Sequence, residues 1–238
     1  MLCYEKCISN FGFFIVYISY YFWIFSVHAV GGLAAIVGSI FIGPRIGRFD
    51  EHTVHHIPGH STPLTCLGGF ILVTGFLGMV LGHSHNIELS ATNIILGGSA
   101  SGITAMFIRW VRPHLSVVMQ RKKGLMGRKK ARQYWSFLTV VDSALCGMVA
   151  LCPGCNIIPT FGAVFIGTTA GLFYLALEHL LLVWKIDDPL GSFSVHFGGG
   201  VIGVVLTPLF MLKEHAGIDG VLFWKGRYEI VKHRRYKG

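Results

Sequence analysis

Charged side chains are scarce in this sequence of 238 residues. Lys, Arg, Asp and Glu together make up 13% of the chain, about half of the roughly 25% that is usual in a soluble domain. Negatively charged residues are the scarcer of the two kinds, with 11 Asp and Glu against 20 Lys and Arg. A shortage of this size excludes an ordinary water-exposed surface, and 53% of the residues are hydrophobic.

Other signals are missing as well. No small-residue cleavage site follows the aromatic residues of 1–25, so this leader does not resemble a secretory signal peptide. Cys152 and Cys155 have CxxC spacing, but no second pair stands near them to complete a zinc site. We find no cofactor motif, nucleotide site or catalytic nucleophile, and we therefore expect neither a cofactor nor an enzyme.

The apolar residues form segments that are long enough to cross a bilayer as helices, which takes about 20 residues. We predict spans near 20–42, 64–84, 91–111, 135–152, 158–184 and 191–212. Most of the 31 glycines lie inside these segments, as is typical of closely packed membrane helices. The sequence thus predicts an all-α, polytopic transmembrane helical bundle over 26–212, with an aromatic leader at 1–25 and a basic tail at 213–238.

Basic residues fall on every second connection between the predicted spans. Arg45 and Arg48 follow the first span, a run from Arg121 to Arg132 follows the third, and Lys185 follows the fifth. Because cytoplasmic loops are enriched in Lys and Arg, we expect these loops inside and the N-terminus outside. The net charge of +9 is therefore explained by orientation in the bilayer, and we expect no nucleic-acid partner.

One heptad occurs twice. Residues 26–32 and 194–200 share the pattern S-V-H-x-x-G-G, on spans predicted to run in opposite directions. This indicates an inverted-topology repeat, and such transporters place their substrate site at the repeat interface. The repeated polar residue is a histidine, His28 and His196, and an ionisable group inside a span is usually functional.

Two neutral imidazoles brought together can share a proton through an N–H to N hydrogen bond. Such a pair can bind a small polar molecule such as ammonia or water, or pass a proton along. The glycines three and four residues after each histidine are expected to let that face approach another backbone closely. The alternative is two unrelated buried histidines, each satisfied by a backbone carbonyl.

Several motifs, in order, resemble the ammonium transporter (Amt/Mep/Rh) family, and its eukaryotic Amt members in particular. Residues 43–50 (GPRIGRFD) resemble the loop after the family's fifth span, and 56–61 the start of its sixth. Residues 146–156 resemble its eighth span, and 187–200 its tenth. The resemblance covers about 26–212, and it implies that His28 and His196 are the family's twin pore histidines.

The resemblance implies further properties. The substrate would be ammonium or ammonia, the location the plasma membrane, and the assembly a homotrimer of eleven-span subunits. The chain would then lack the family's first four spans and its last. The chain departs from the family pattern in three places. Tyr20 stands where an acidic residue usually precedes the first pore histidine, Gly191 stands where an acidic residue is common, and residues 79–83 replace a segment that helps to recruit ammonium. Phe76, Met79 and His83 are therefore candidate pore-lining or recruitment residues, with Ser84 as the alternative to His83.

Three acidic residues complete the candidates. Asp187, Asp188 and Pro189 predict a helix start, with Asp188 as the N-cap and Pro189 as the first helical residue. This cap would fix the height of His196, that is, its depth in the bilayer. Asp142 is the only acid in the fourth predicted span, and it either pairs within the bundle or lines the conduction path.

Two other functions remain open. Four histidines in one loop could bind a transition metal, which would indicate a divalent-metal transporter. They are His52, His55, His56 and His60. This is less favoured, because no cluster of Asp, Glu or His inside the spans would carry a cation across. The other alternative is a truncated family member that does not transport.

Overall fold

The computed structural model describes residues 27–50, 54–55, 57, 59–82, 84–122 and 136–212, with the backbone alone described over 112–122. The predicted leader and tail lie outside the described residues, as do His52, His56 and His83.

Six helices account for most of the described residues. They are α1 (Val27–Ile42), α2 (Thr62–Gly82), α3 (Ile87–Lys122), α4 (Phe137–Leu151), α5 (Thr160–Val183) and α6 (Gly198–Phe210), with a π-helical turn, Phe193–Phe197, directly before α6. Four stretches are long and apolar enough to cross a bilayer: α2, Ile87–Val111 of α3, α5, and Phe193–Phe210. The remaining helices, α1 and α4, are shorter and apolar. The predicted all-α membrane bundle is confirmed.

Successive helices alternate in direction, as contacts at the two ends of the bundle show. At one end, Arg45, just after α1, bonds Asp187, just before the π turn. At the other end, the Asn93 amide near the start of α3 donates to the Cys155 carbonyl in the α4–α5 connection, at 2.7 Å. The connections that follow α1 and α5 therefore lie at the same end, as their basic residues predicted.

Glycines hold the backbones of the inner helices in direct contact. A Cβ on Gly167 of α5 would lie 2.1 Å from the Gly97 carbonyl oxygen of α3, and one on Gly147 of α4 would lie 2.6 Å from the same oxygen. A Cβ on Gly203 of α6 would lie 2.3 Å from the Ala150 carbonyl oxygen. Only glycine permits crossings this close, so α3, α4, α5 and α6 form a tightly packed core.

The helices α1 and α2 form an outer layer on this core. The residues of α2 that are buried are Phe76 and Val80. Four of the five glycines of α2 lie in open space, with no atom within 4 Å of the position that a Cβ would take: Gly68, Gly75, Gly78 and Gly82. Apolar side chains such as Phe41 and Phe70 are exposed on this layer, as suits surfaces that face lipid.

The start of the sixth span differs from the prediction. Pro189 is not the first helical residue; it lies in a turn, and helical residues begin only at 192. Gly191, with φ of +63°, reverses the chain between them, a conformation that glycine adopts without strain. Asp188 nevertheless caps the helix, because its carboxylate oxygens accept hydrogen bonds from the backbone N–H groups of Ser192 and Phe193, at 3.1 and 2.9 Å.

Candidate functional site

Rings from three elements meet where α1 crosses the π turn. The ring centroids of His28 and His196 are 5.4 Å apart, and the rings are parallel to within 2°. Phe76 of α2 also stacks on His28, with centroids 5.6 Å apart and an angle of 16°. The structure thus brings three of the predicted residues together, and we call Phe76, His28 and His196 the ring stack.

The ring stack is shielded, with His28 only 8% exposed and Phe76 only 7%. Nε2 of His28 and Nδ1 of His196 are buried, and neither has a hydrogen-bond partner among the described residues. The predicted N–H to N link is therefore absent between these two atoms, because the rings lie parallel. Each nitrogen can make one further hydrogen bond, as donor or acceptor according to its tautomer.

The histidines meet because α1 and the π turn pack backbone to backbone. A Cβ on Gly32, one turn after His28, would lie 2.5 Å from the Phe197 backbone nitrogen. The predicted close approach of this glycine is confirmed. The same prediction is wrong for Gly31, which has no atom within 4 Å of its Cβ position. In the second heptad, Gly199 packs against the Cys146 carbonyl oxygen of α4, not against α1.

The two helices that carry the histidines run in opposite directions. Along the chain from His28 to Arg45, the partner residues move from His196 back to Asp187. Ile36, midway along α1, packs against the cluster formed by Leu177, Leu181 and Phe193, the last of which starts the π turn. The two copies of the heptad therefore lie on antiparallel elements, as an inverted repeat requires.

The backbone around His196 was not predicted. The Gly198 N–H bonds the Phe193 carbonyl five residues earlier, which makes the turn π-helical. Such turns are rare and are often found at functional sites. Phe193 and Phe197 also stack on each other, with centroids 4.8 Å apart. Hydrophobic spacing does not distinguish a single π turn from an α turn, so the sequence pattern gave no signal for it.

Asp187 has a larger role than the predicted helix start. It accepts three hydrogen bonds from Arg45: from the backbone nitrogen at 3.0 Å, from Nε at 2.7 Å and from Nη2 at 2.9 Å. Arg48 adds an ion pair at 3.3 Å, and the Asp187 side chain is only 1% exposed. The hydrogen bonds from Arg45 hold the pKa of Asp187 below its usual range. Sequence reasoning used both arginines for orientation only and missed this contact.

The other predicted recruitment residues are Met79 and His83. Met79 of α2 is 42% exposed, and His83 lies outside the described residues. The Ser84 hydroxyl, the alternative to His83, lies 2.5 Å from the Ser90 hydroxyl. A role of these residues in recruitment stays a prediction.

Asp142 pairs within the bundle. The Tyr174 hydroxyl of α5 interacts with its carboxyl group. One turn further along α5, Glu178 accepts two hydrogen bonds from Nη2 of Arg109 in α3, at 2.6 and 2.8 Å. These contacts join α3, α4 and α5 at the end of the bundle that also holds Arg45.

The histidine loop gives the metal alternative no support from its described residues. Nε2 of His55 lies 2.5 Å from Oδ2 of Asp50, and His60 is exposed. Among the residues that the structure describes, no three His, Cys, Asp or Glu side chains come together as a metal site.

The fold and the site define the class as a polytopic helical membrane protein of the transporter type. The model of the Ammonium Transporter Family matches residues 24–235. The chain belongs to this family.

Its relatives include ammonium transporter 1 member 3 of Solanum lycopersicum, 32% identical over 191 residues, which cover 79% of this chain and 40% of the relative. Ammonium transporter 1 member 1 of Arabidopsis thaliana is 32% identical over 192 residues, covering 79% and 37%. The chain thus spans about two fifths of the length of these relatives.

Solved structures agree with the family. The structure titled Sensor Amt Protein matches with a TM-score of 0.64 and 28% identity, over 81% of this chain and 44% of that one. Saccharomyces cerevisiae Mep2 matches in fold with a TM-score of 0.62 and 24% identity, over 82% of this chain and 41% of that one.

Proposed function

We propose that this chain conducts ammonium or ammonia across the plasma membrane, with His28 and His196 in the conduction path. The observation that carries the proposal is the pair of parallel imidazoles, 5.4 Å apart, contributed by two antiparallel elements, with His28 buried and His196 partly buried. The family supports the same substrate, since the relatives are named ammonium transporters.

The ring stack suits a neutral substrate. A cation without its water shell is strongly disfavoured among apolar side chains, whereas ammonia carries no charge. Its three N–H groups and single lone pair match imidazole nitrogens, which accept or donate according to tautomer. The substrate would thus arrive as ammonium, lose its proton outside the shielded region, and pass the histidines as ammonia.

Other residues support this path in our proposal. Phe76 shields His28 from one side of the path, and the Asp188 cap fixes the height of His196 by holding the start of its helix. Met79 and His83 line or approach the outer part of the route. We further propose that the chain acts as a homo-oligomer in the bilayer, a trimer by family resemblance.

A second candidate is a family member that does not transport by itself and that assembles with other subunits. The observation that favours it is the open face of α2, where four glycines have nothing packed against them. In this case the ring stack would be completed only by helices of a partner.

The test is uptake of methylammonium by ammonium-uptake-deficient cells that express this chain, with membrane insertion measured in parallel. His196→Ala is the test variant, and His60→Ala, at an exposed loop histidine, is its control. We expect uptake by the wild-type chain and by His60→Ala, and altered uptake and selectivity in His196→Ala. Stable insertion without uptake would favour the non-transporting alternative. Equal uptake and selectivity in all three would remove His196 from the path.

A further inference from the structure

We propose that Arg45 and Asp187 form an ionic clamp that sets the position of His28 against His196. Both are positioning residues, since neither contacts the rings of the stack. The inference deepens the proposed function and rests on it for its effect on transport. It does not depend on it for the effect on the geometry of the histidines.

The clamp is specific in its geometry. Nε and Nη2 of Arg45 bond the two different oxygens of the Asp187 carboxylate, at 2.7 and 2.9 Å. This two-pronged arrangement fixes direction as well as distance, which a lysine could not do. The Arg45 backbone nitrogen adds a third bond at 3.0 Å, so the main chain after α1 is held as well as the side chain.

One side of the clamp leads directly to His196. Asp187 is joined by a peptide bond to Asp188, whose carboxylate holds the N–H groups of Ser192 and Phe193. His196 follows Ser192 by four residues, about one helical turn. A shift of Asp187 is therefore passed to the π turn through one covalent link and two hydrogen bonds.

The other side leads to His28. Arg45 stands three residues after the end of α1. The Gly43 N–H makes the closing bond of the helix, to the Ser39 carbonyl at 3.0 Å, so only Gly43 and Pro44 separate the clamp from α1. The contact of Gly32 with Phe197 fixes α1 at a second point, near the rings. The helix α1 is thus held near the rings, at Gly32, and just beyond its other end, at Arg45. Holding it at both places prevents α1 from sliding or tilting, and rings parallel to within 2° require that neither occurs.

The competing explanation is that the clamp only stabilises the fold. The chain offers a matched control, the ion pair between Arg109 and Glu178, whose closest atoms are 2.6 Å apart. It lies at the same end of the bundle but joins α3 to α5, and neither of these helices carries a ring of the stack. Loss of this pair removes a similar charge interaction without touching α1 or the π turn.

The first experiment follows the ring nitrogens directly. Full-length chain labelled with ¹⁵N-histidine is placed in lipid nanodiscs, and the signals of the pair are identified by their loss in His28→Ala and His196→Ala. We expect Asp187→Asn to shift both signals, Arg45→Lys to shift them less, and Glu178→Gln to leave them in place. Unmoved signals in Asp187→Asn, or equal shifts in Glu178→Gln, would overturn the clamp.

The second experiment measures methylammonium uptake by the same variants at equal membrane levels. We expect Asp187→Asn to lower the maximal rate about 10-fold or more, since a displacement of about 1 Å in a reacting group can cost that much. Glu178→Gln should stay within about 2-fold of the wild-type chain, because the pair joins α3 to α5 and neither helix carries a ring of the stack. A wild-type chain that inserts but does not transport would contradict the proposed function, whereas the ¹⁵N signals would still decide the clamp.

Discussion

Glycine has different roles in two regions of the molecule, the core of α3, α4, α5 and α6 and the outer layer of α1 and α2. In the core, a Cβ on Gly147, Gly167 or Gly203 would overlap a carbonyl of the neighbouring helix. In α2, a Cβ on Gly75 or Gly78 would meet nothing within 4 Å. Glycine content therefore predicts close packing in general, but not which glycines are packed within this chain.

The ring stack lies on the seam between these two regions. His196 belongs to the element that continues into the core, while His28 and Phe76 belong to the outer layer. Four contacts described above hold the seam: the ring stack itself, Gly32 against Phe197, Ile36 against the cluster that includes Phe193, and Arg45 with Asp187. The geometry of the site therefore depends on few contacts, whereas the core depends on many.

The sharpest test of the comparison adds one methyl group to each region. Gly167→Ala forces a Cβ to within 2.1 Å of the Gly97 carbonyl oxygen, so α3 and α5 must separate. We expect a loss of stability at or above the upper end of the about 1–3 kcal/mol typical of overpacking. Gly78→Ala adds the same group to open space and should leave the melting temperature of the purified protein unchanged. Equal melting temperatures in the two variants would remove the distinction between core and outer layer.

A second pair of variants tests the seam. Gly32→Ala pushes α1 away from Phe197, with an expected cost of about 1–3 kcal/mol, and it should separate the rings of His28 and His196. Gly31→Ala, at the neighbouring open position, should do neither. The readouts are the melting temperature and the ¹⁵N signals of the two histidines. If both variants moved these signals alike, the contact at Gly32 would not be what positions His28.

A third test concerns a polar contact inside the core. Tyr174→Phe removes the hydroxyl that interacts with the Asp142 carboxyl group, leaving that group without this partner at an expected cost of about 1–3 kcal/mol. Tyr174→Phe should cost less stability when Asp142→Asn is already present, because a neutral amide is easier to bury than a carboxylate. Chemical denaturation of the two variants measures this difference, and equal costs would show that the hydroxyl does not support Asp142.

The smallest expected effect is the pH dependence of the clamp. Because the folded-state pKa of Asp187 is lowered by Arg45, its contribution is complete above the unfolded pKa of about 3.9. This contribution to the free energy of unfolding is lost as the pH falls from that value through the lowered pKa of the folded state. Each unit by which the pKa is lowered contributes about 1.4 kcal/mol. The stability difference between the wild-type chain and Asp187→Asn should therefore shrink on acidification below about pH 4. A constant difference from pH 7 to pH 2 would contradict the charge-based account.

Much of this arrangement could be predicted from the sequence. Apolar length and alternating basic loops gave the helices and their directions, and the repeated heptad, with the family resemblance, gave His28 and His196. Phe76 was found by its position in the resemblance. These features are local patterns, or a repetition of one, and so they are visible without coordinates.

The rest depends on contacts between residues far apart in the chain. Arg45 and Asp187 are separated by 142 positions, and no local pattern pairs them. The parallel orientation of the imidazoles follows from the close crossing at Gly32. This crossing holds the two rings face to face, so that their nitrogens do not point at each other. Pro189 was placed in the helix by its usual preference for a first turn, but the reversal at Gly191 delays the helix until 192.

The π turn also makes the site sensitive to chain length. A π turn holds one residue more than an α turn would need for the same bonds. Deleting Phe197 would let the segment close into a regular α-helix, leaving Gly199 and Gly203 on α4 while His196 turns by about 100° around the helix axis. The imidazole would then face away from α1, although α6 keeps its own contacts. Loss of a single codon is thus a genetic change that can separate the fold of this protein from its site.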